Sequence, residues 1–150
     1  MSMVQPVKYP YIVPITVSFR DLDALGHVNN AVYLTYFEHA RIGYGLQLSG
    51  NRPLSEIPFI VAEATVTYLR PAFYGDTLAL GIRVVEIGTK SFVMEYALQR
   101  VANGELVARG RTVQVWFDYQ AQRSEPVPAS FREAVARDNA RVQQASPPAE

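Results

Sequence analysis

The chain has 150 residues, 49% of them hydrophobic, with 14 Lys and Arg against 14 Asp and Glu and no cysteine. That length and apolar content suit one domain with its own core, and the missing cysteines exclude disulfides, thiolate nucleophiles and thiolate metal sites. Zero formal charge without a basic run argues against nucleic acid or a polybasic membrane surface as partner. No stretch approaches the roughly 20 apolar residues of a bilayer span. The N-terminal apolar stretch is broken by Pro10 and Pro14, so the expectation is a cytoplasmic protein without a signal segment.

In chain order, Ile12 to Arg20 carries β-branched and aromatic residues, with Ile15, Val17 and Phe19 at alternate positions. This predicts a half-buried strand, and Pro14 marks it as an edge or a bulge. From Asn30 to about Leu48 the period changes: Tyr33, Phe37, Ala40 and Tyr44 recur at three- and four-residue steps, as do Val32, Tyr36 and Gly43. A long helix is predicted, apolar over more than one stripe and so in need of burial on several sides. Asn29 or Asn30 is its expected N-cap, and the run Gly50 to Pro53 ends it. Glu38 and Arg41 are spaced to pair along it.

Four strand-like runs follow, Phe59 to Arg70, Thr77 to Ile87, Ser91 to Ala102 and Glu105 to Tyr119. They are separated by Pro71 with Gly75-Asp76, by Gly88-Thr89, and by Asn103-Gly104, a type I′ hairpin signal. The expectation is an antiparallel meander. Pro128 to about Val142 is predicted as a short terminal helix and residues 143–150 as a disordered tail. The reading is one α+β domain over residues 1–150, with its core in about 12–120. An antiparallel sheet of about five strands curls around the long helix, and its free edges invite a second copy.

The segment DLDALGHVNN, Asp21 to Asn30, holds two acids, a histidine and two asparagines, far more than a turn needs. The pattern Asp21-x-Asp23-x-x-Gly26-His27-Val28-Asn29-Asn30, followed by Tyr33-x-x-Tyr36-Phe37-Glu38-x-Ala40-Arg41, resembles the signature of hotdog-fold acyl-CoA thioesterases of the 4-hydroxybenzoyl-CoA thioesterase type. Tyr68-x-Arg70-Pro71-Ala72-x-x-x-Gly75-Asp76 is similar to the same family's second and third strands and the turn joining them. The likeness runs from Ile15 to about Tyr119.

Thioester hydrolysis needs a base or nucleophile beside the carbonyl carbon and donors for the oxyanion. A carboxylate ahead of a helix N-terminus, with the free amides of the first turn, supplies both. Asp21 and Asp23 could both simply shape an Asx-turn; the resemblance implies that Asp23 is the catalytic acid, acting on water or attacking directly, and Asp21 stays structural. It further implies an oxyanion donor among the amides of Asn29, Asn30 and Ala31, and a closely approaching backbone at Gly26. His27 is a second catalytic candidate, although plant acyl-carrier-protein thioesterases that resemble this loop carry asparagine where this chain has Leu25. Tyr33, Tyr36, Phe37 and Tyr68 divide between core and an acyl tunnel. Lys90 matches a basic residue that contacts the nucleotide end of CoA in the family, and Arg70 is a second cation for it.

No cofactor is expected, and His27 with His39 lacks a third convergent ligand for a metal. The implied substrate is an acyl-CoA, and the implied assembly a homodimer or homotetramer with the active site between protomers. The competing enzymatic reading is a hotdog dehydratase or hydratase, which would use Asp23 and His27 for proton transfer. The competing binding reading is a non-catalytic acyl-CoA sensor. Glu63 is the alternative acid, with edge or interface exposure as its plainer explanation.

Overall fold

The computed structural model describes residues 9–145. Its strands are β1 (Tyr11–Thr16), β2 (Phe59–Tyr68), β3 (Thr77–Ile87), β4 (Ser91–Arg100), β5 (Leu106–Asp118) and the two-residue β6 (Arg123–Ser124). Its helices are α1 (Val32–Leu48) and α2 (Ala129–Ala145). The sheet is antiparallel in the order β1-β3-β4-β5-β2, with β6 paired to β5.

Alternation along the strands turns one face toward α1. Leu78, Leu80 and Ile82 of β3 and Phe92, Met94 and Leu98 of β4 are fully buried there. Helix α1 contacts β3 and also both edge strands, β1 and β2. A sheet whose two edges touch one helix must curl around it, which buries Phe37, Ala40 and Tyr44 completely. The multi-stripe apolar pattern of the helix required this. Arg41 is buried as well, and its Nη1 donates to the Tyr96 hydroxyl at 3.3 Å. Glu38 and Arg41 do pair, loosely, at 3.9 Å.

Several sequence expectations are corrected. The four later strands are not a simple meander: β3, β4 and β5 follow one another, but β2 pairs with β5 at the far edge instead of with β3. The chain therefore crosses the end of the sheet in residues 69–76. That crossing is tied down by the Leu69 and Arg70 amides donating to Val107 O and by the Gly75 amide donating to Val17 O. Arg100 adds an ion pair to Asp76 and a donation to Pro71 O at 2.8 Å.

The first strand stops at Thr16, because Ser18 starts a 3-10 turn, Phe19–Asp21, and the alternation breaks. Phe19 is consequently 77% exposed and meets the Tyr74 ring edge-on. Pro14 does lie on an edge strand. The Asn103-Gly104 hairpin is not type I′, which needs positive φ at both central residues; Gly104 has φ 73°, and Asn103 is not among the positive-φ residues. The turn is longer, with the Gly104 amide donating to Arg100 O. The terminal helix is as long as α1, 17 residues, and includes Gln143 to Ala145. The rest of the expected tail, 146–150, lies outside the described residues.

Helix and sheet approach closely where Gly110 of β5 faces Phe37, whose ring stacks on Tyr96 at 4.6 Å. A Cβ on Gly110 would stand 2.2 Å from Phe37 Cε2, so ring or helix must move. Overpacking of this kind costs about 1 to 3 kcal/mol, and each kcal/mol shifts Tm by about 2 to 4 °C at this size. Gly110→Ala is expected to lower Tm by several degrees in a thermal melt, and an unchanged Tm would contradict the packing.

Candidate active site

The Asp21–Asn30 segment folds as a small hairpin. Leu22 and Val28 form an isolated antiparallel bridge, and inside it the Asp23 amide donates to His27 O at 3.1 Å. The Gly26 amide donates back to Asp23 O at 3.1 Å, with Gly26 at φ 86°. This is a three-residue hairpin loop whose last position needs a left-handed backbone, and glycine takes it without steric cost. The hairpin sets Asp23 and His27 opposite one another. One Asp23 oxygen, Oδ1, accepts from the Leu25 amide at 2.9 Å, and among the described residues Oδ2 accepts no hydrogen bond.

Asp21 anchors this hairpin to the helix. Its Oδ2 accepts from the Tyr36 hydroxyl at 2.8 Å and from the Ser18 amide at 2.9 Å, while its carbonyl accepts from the Asn29 amide at 2.9 Å. Burial, and then the hydrogen bond to the Asp21 carboxylate, push the Tyr36 hydroxyl far above its ordinary pKa, so it stays a donor. On the other side the Val28 amide donates to Ala72 O at 2.8 Å, docking the hairpin on the crossing loop.

Between hairpin, helix start and crossing loop lies a pocket of about 410 Å³. Asp23, His27, Asn30, Tyr33, Tyr68 and Arg70 line it, and Leu25, Leu69 and Pro71 complete its apolar part. The Tyr33 and Tyr68 rings meet edge-on at 5.1 Å, and the Tyr68 hydroxyl donates to Asn30 O at 2.8 Å. Burial raises the Tyr33 pKa. Of the three amides at the helix start, Asn29 donates to Asp21 O and Ala31 to Asn29 Oδ1. The Asn30 amide has no acceptor among the described residues. The pocket is thus lined by an acid, a histidine and the residue just before the helix start, Asn30, around one largely apolar space, residue types suited to acyl transfer.

The chain matches the thioesterase-like superfamily over residues 17–135. It belongs to that superfamily. The long-chain acyl-CoA thioesterase FadM of Escherichia coli (strain K12) is 30% identical over 122 residues, covering 79% of this chain and 92% of that protein. A 1,4-dihydroxy-2-naphthoyl-CoA hydrolase of Acaryochloris marina is 28% identical over 120 residues, 75% of this chain and 86% of its own. Among solved structures, a thioesterase from Thermus thermophilus complexed with coenzyme A and Zn is similar, with TM-score 0.81 and 42% identity, covering 89% of this chain and 96% of that one. The reading as a hotdog-fold thioester hydrolase is borne out; these relatives do not single out the 4-hydroxybenzoyl-CoA type.

In this thioesterase the residues singled out from sequence separate into two places. Asp23, His27, Asn30, Tyr33 and Arg70 share the pocket, with Gly26, Asn29 and Ala31 in the adjoining hairpin and helix entry. Lys90 is not with them: it sits in the turn between β3 and β4, at the opposite end of the 11-residue β3 from the crossing loop. The N-cap expectation is corrected, since Ala31 holds the cap position with helical dihedrals and no side-chain cap bond. Asn29 serves earlier in the chain, as an Asx-turn, and the Asn30 carbonyl is taken by Tyr68. Glu63 points to the outer face and pairs with Arg111 at 3.8 Å, and His39 is exposed.

Sequence reasoning did not find the Tyr36 bond to Asp21 or the apolar wall of Leu69 and Pro71. The Tyr36 position repeats at helical spacing like a core residue, and nothing local marks its hydroxyl as a clamp. Tyr36→Phe keeps the ring and deletes that donor, so a stability loss of about 1 kcal/mol is expected in urea titration. Turnover should fall alongside, because the hairpin is less firmly held. An unaltered midpoint and unaltered kcat would remove Tyr36 from the loop's support.

Proposed function

We propose that this thioesterase hydrolyses an acyl-CoA to a carboxylic acid and CoA, with Asp23 as general base or nucleophile. The observation that carries the reading is that Asp23, one of whose carboxylate oxygens is unengaged, lines one largely apolar pocket together with His27 and Asn30, the residue just before the helix start. As base, Asp23 takes a proton from water while the oxygen adds to the thioester carbonyl. The tetrahedral intermediate then expels the thiolate, which recovers the proton. As nucleophile, Asp23 forms an anhydride with loss of the thiolate, and water cleaves it in a second step. In both routes the Asn30 amide faces the developing oxyanion, a contribution of about 3 kcal/mol in comparable holes. His27, opposite on the hairpin, orients the carboxylate or the substrate. The names of the relatives, which include acyl-CoA thioesterases and hydrolases, support the substrate class.

A CoA-releasing assay over an acyl-CoA panel tests the reading directly. Asp23→Asn preserves size and the Asx-turn, so the fold should persist by circular dichroism while kcat drops by about two to four orders of magnitude. Asp21→Asn should cost far less, since asparagine keeps an acceptor for Tyr36. Full activity in a folded Asp23→Asn variant would refute the assignment.

The working assembly in this proposal is a homodimer at least, with a tetramer open. Strand β2 supports it, being a 10-residue edge strand exposed along most of its length on both faces. Such an edge is a template for a second strand. The groove beside it, lined by Leu34, Glu38, Arg41, Val61 and Ala64, is uncovered in the single chain. Light scattering at micromolar concentration should give at least twice the mass of one chain; a monomer would count against it.

A further inference from the structure

On the outer face of the sheet the strand register aligns Arg109 of β5, Ala97 of β4 and Gly81 of β3 in one transverse row. Ala97 and Gly81 raise almost no side chain above the sheet. The neighbouring row, Arg111, Glu95 and Arg83, is tall. The short row is thus the floor of a trough. Tyr9 closes one end: its ring lies so near Gly81 that a Cβ there would be 2.5 Å from Tyr9 Cγ, and the Arg83 guanidinium sits 5.2 Å from the ring centre. The trough encloses about 810 Å³, within the ~300 to 1,000 Å³ of small-molecule sites.

Leu69 and Arg70 line both this trough and the Asp23 pocket. The crossing loop is therefore a wall common to the two. Charge differs between the two ends. Arg83 is held by Glu95 at 3.0 Å. The Arg70 pair with Glu105 is longer, 3.4 Å, and both side chains are exposed, so it contributes little in water and yields readily to a better anion. Arg109 makes no ion pair among the described residues. A chain of zero net charge thus places available guanidinium groups in the cleft beside its candidate site.

Resting on the acyl-CoA reading, we propose that the trough binds the phosphate-bearing nucleotide end of the thioester, with Arg109 and Arg70 as its phosphate donors. The planar guanidinium fork matches phosphate oxygens in pairs. Leu69 and Leu106 offer the apolar surface that the pantetheine arm crosses on its way to Asp23. This assignment moves the nucleotide contact away from Lys90, which does not line the trough.

The test compares one acyl group carried by CoA and by N-acetylcysteamine, which lacks the nucleotide. Arg109→Ala should lower the ratio of kcat/KM for the two thioesters by about tenfold or more, through KM for the CoA ester, as expected for a lost charge-assisted contact. Arg70→Ala should act in the same direction, and added NaCl should raise the wild-type KM for the CoA ester more than the variants'. Lys90→Ala should leave the ratio as it is. An unchanged ratio in Arg109→Ala, or a fall in Lys90→Ala instead, overturns the proposal; so does an unchanged ratio with an altered oligomer mass, which makes the trough an assembly surface. Calorimetric titration with adenosine 3′,5′-bisphosphate separates this inference from the catalytic one. If the wild type releases no thiol from either ester yet binds the bisphosphate, and Arg109→Ala weakens that binding about tenfold, the hydrolase reading fails and the trough stands. Absence of wild-type binding overturns the trough alone.

Discussion

Close approach of α1 to the inner face of the sheet is the constraint on which the remaining structure depends. Phe37 lies flat on Tyr96 and over Gly110, where no side chain intervenes. With the helix seated this low, both sheet edges reach it, and the sheet must curl. The polar side chains beneath the helix then need partners of their own. Arg41 finds the Tyr96 hydroxyl, which also shares a 2.7 Å hydrogen bond with Thr112. Burying a guanidinium without such partners would cost several kcal/mol.

The same seating positions the chemistry. Because α1 begins beside the end of the sheet, the hairpin preceding it and the loop crossing from β2 to β3 meet at one corner. Both are irregular segments, yet their backbone groups are well accounted for. The hairpin bonds to itself, to the crossing loop through Val28 and Ala72, and to the helix through Asp21 and Tyr36. Arg100 secures the crossing loop from β4. The Asn30 amide is exposed and has no acceptor among the described residues, as first-turn donors of a helix commonly do not. Asp21 and Asp23, two residues apart, divide the work. The Asp21 carboxylate is tied to the helix and to Ser18, whereas the Asp23 carboxylate bonds only within its own loop and its residue lines the pocket.

The relation between pocket and trough follows from the topology as well. In a simple meander β2 would neighbour β3, and no loop would cross the sheet's end. With β2 at the far edge, the crossing loop becomes a partition with Leu69 and Arg70 addressing both faces. The far-edge position of β2 also leaves most of its length exposed, although α1 touches it.

Much of this was legible in the residues. Multi-stripe periodicity from Val32 to Leu48 demanded a wrapped helix, proline and glycine punctuation placed β3 to within a residue, and the DLDALGHVNN composition marked the site. Those signals are local, arising from propensity, period and turn chemistry over a few positions. Partners distant in the chain left no such trace. Strand order depends on which edge the chain reaches after α1, and Phe19 was lost to a 3-10 turn that a period-two pattern does not foresee. Tyr36 reads as core until Asp21 is folded back against it, and the distance of Lys90 from the Asp23 pocket in one chain shows only once the length of β3 is laid out. Helix, strands and acid-bearing hairpin were thus already written in the order of the residues, because short-range sterics and hydrophobic periodicity specify them. Which carboxylate is tied to the helix and which lines the pocket, and which arginine shares a wall with it, emerged only on folding, because both depend on contacts between segments brought together by burial.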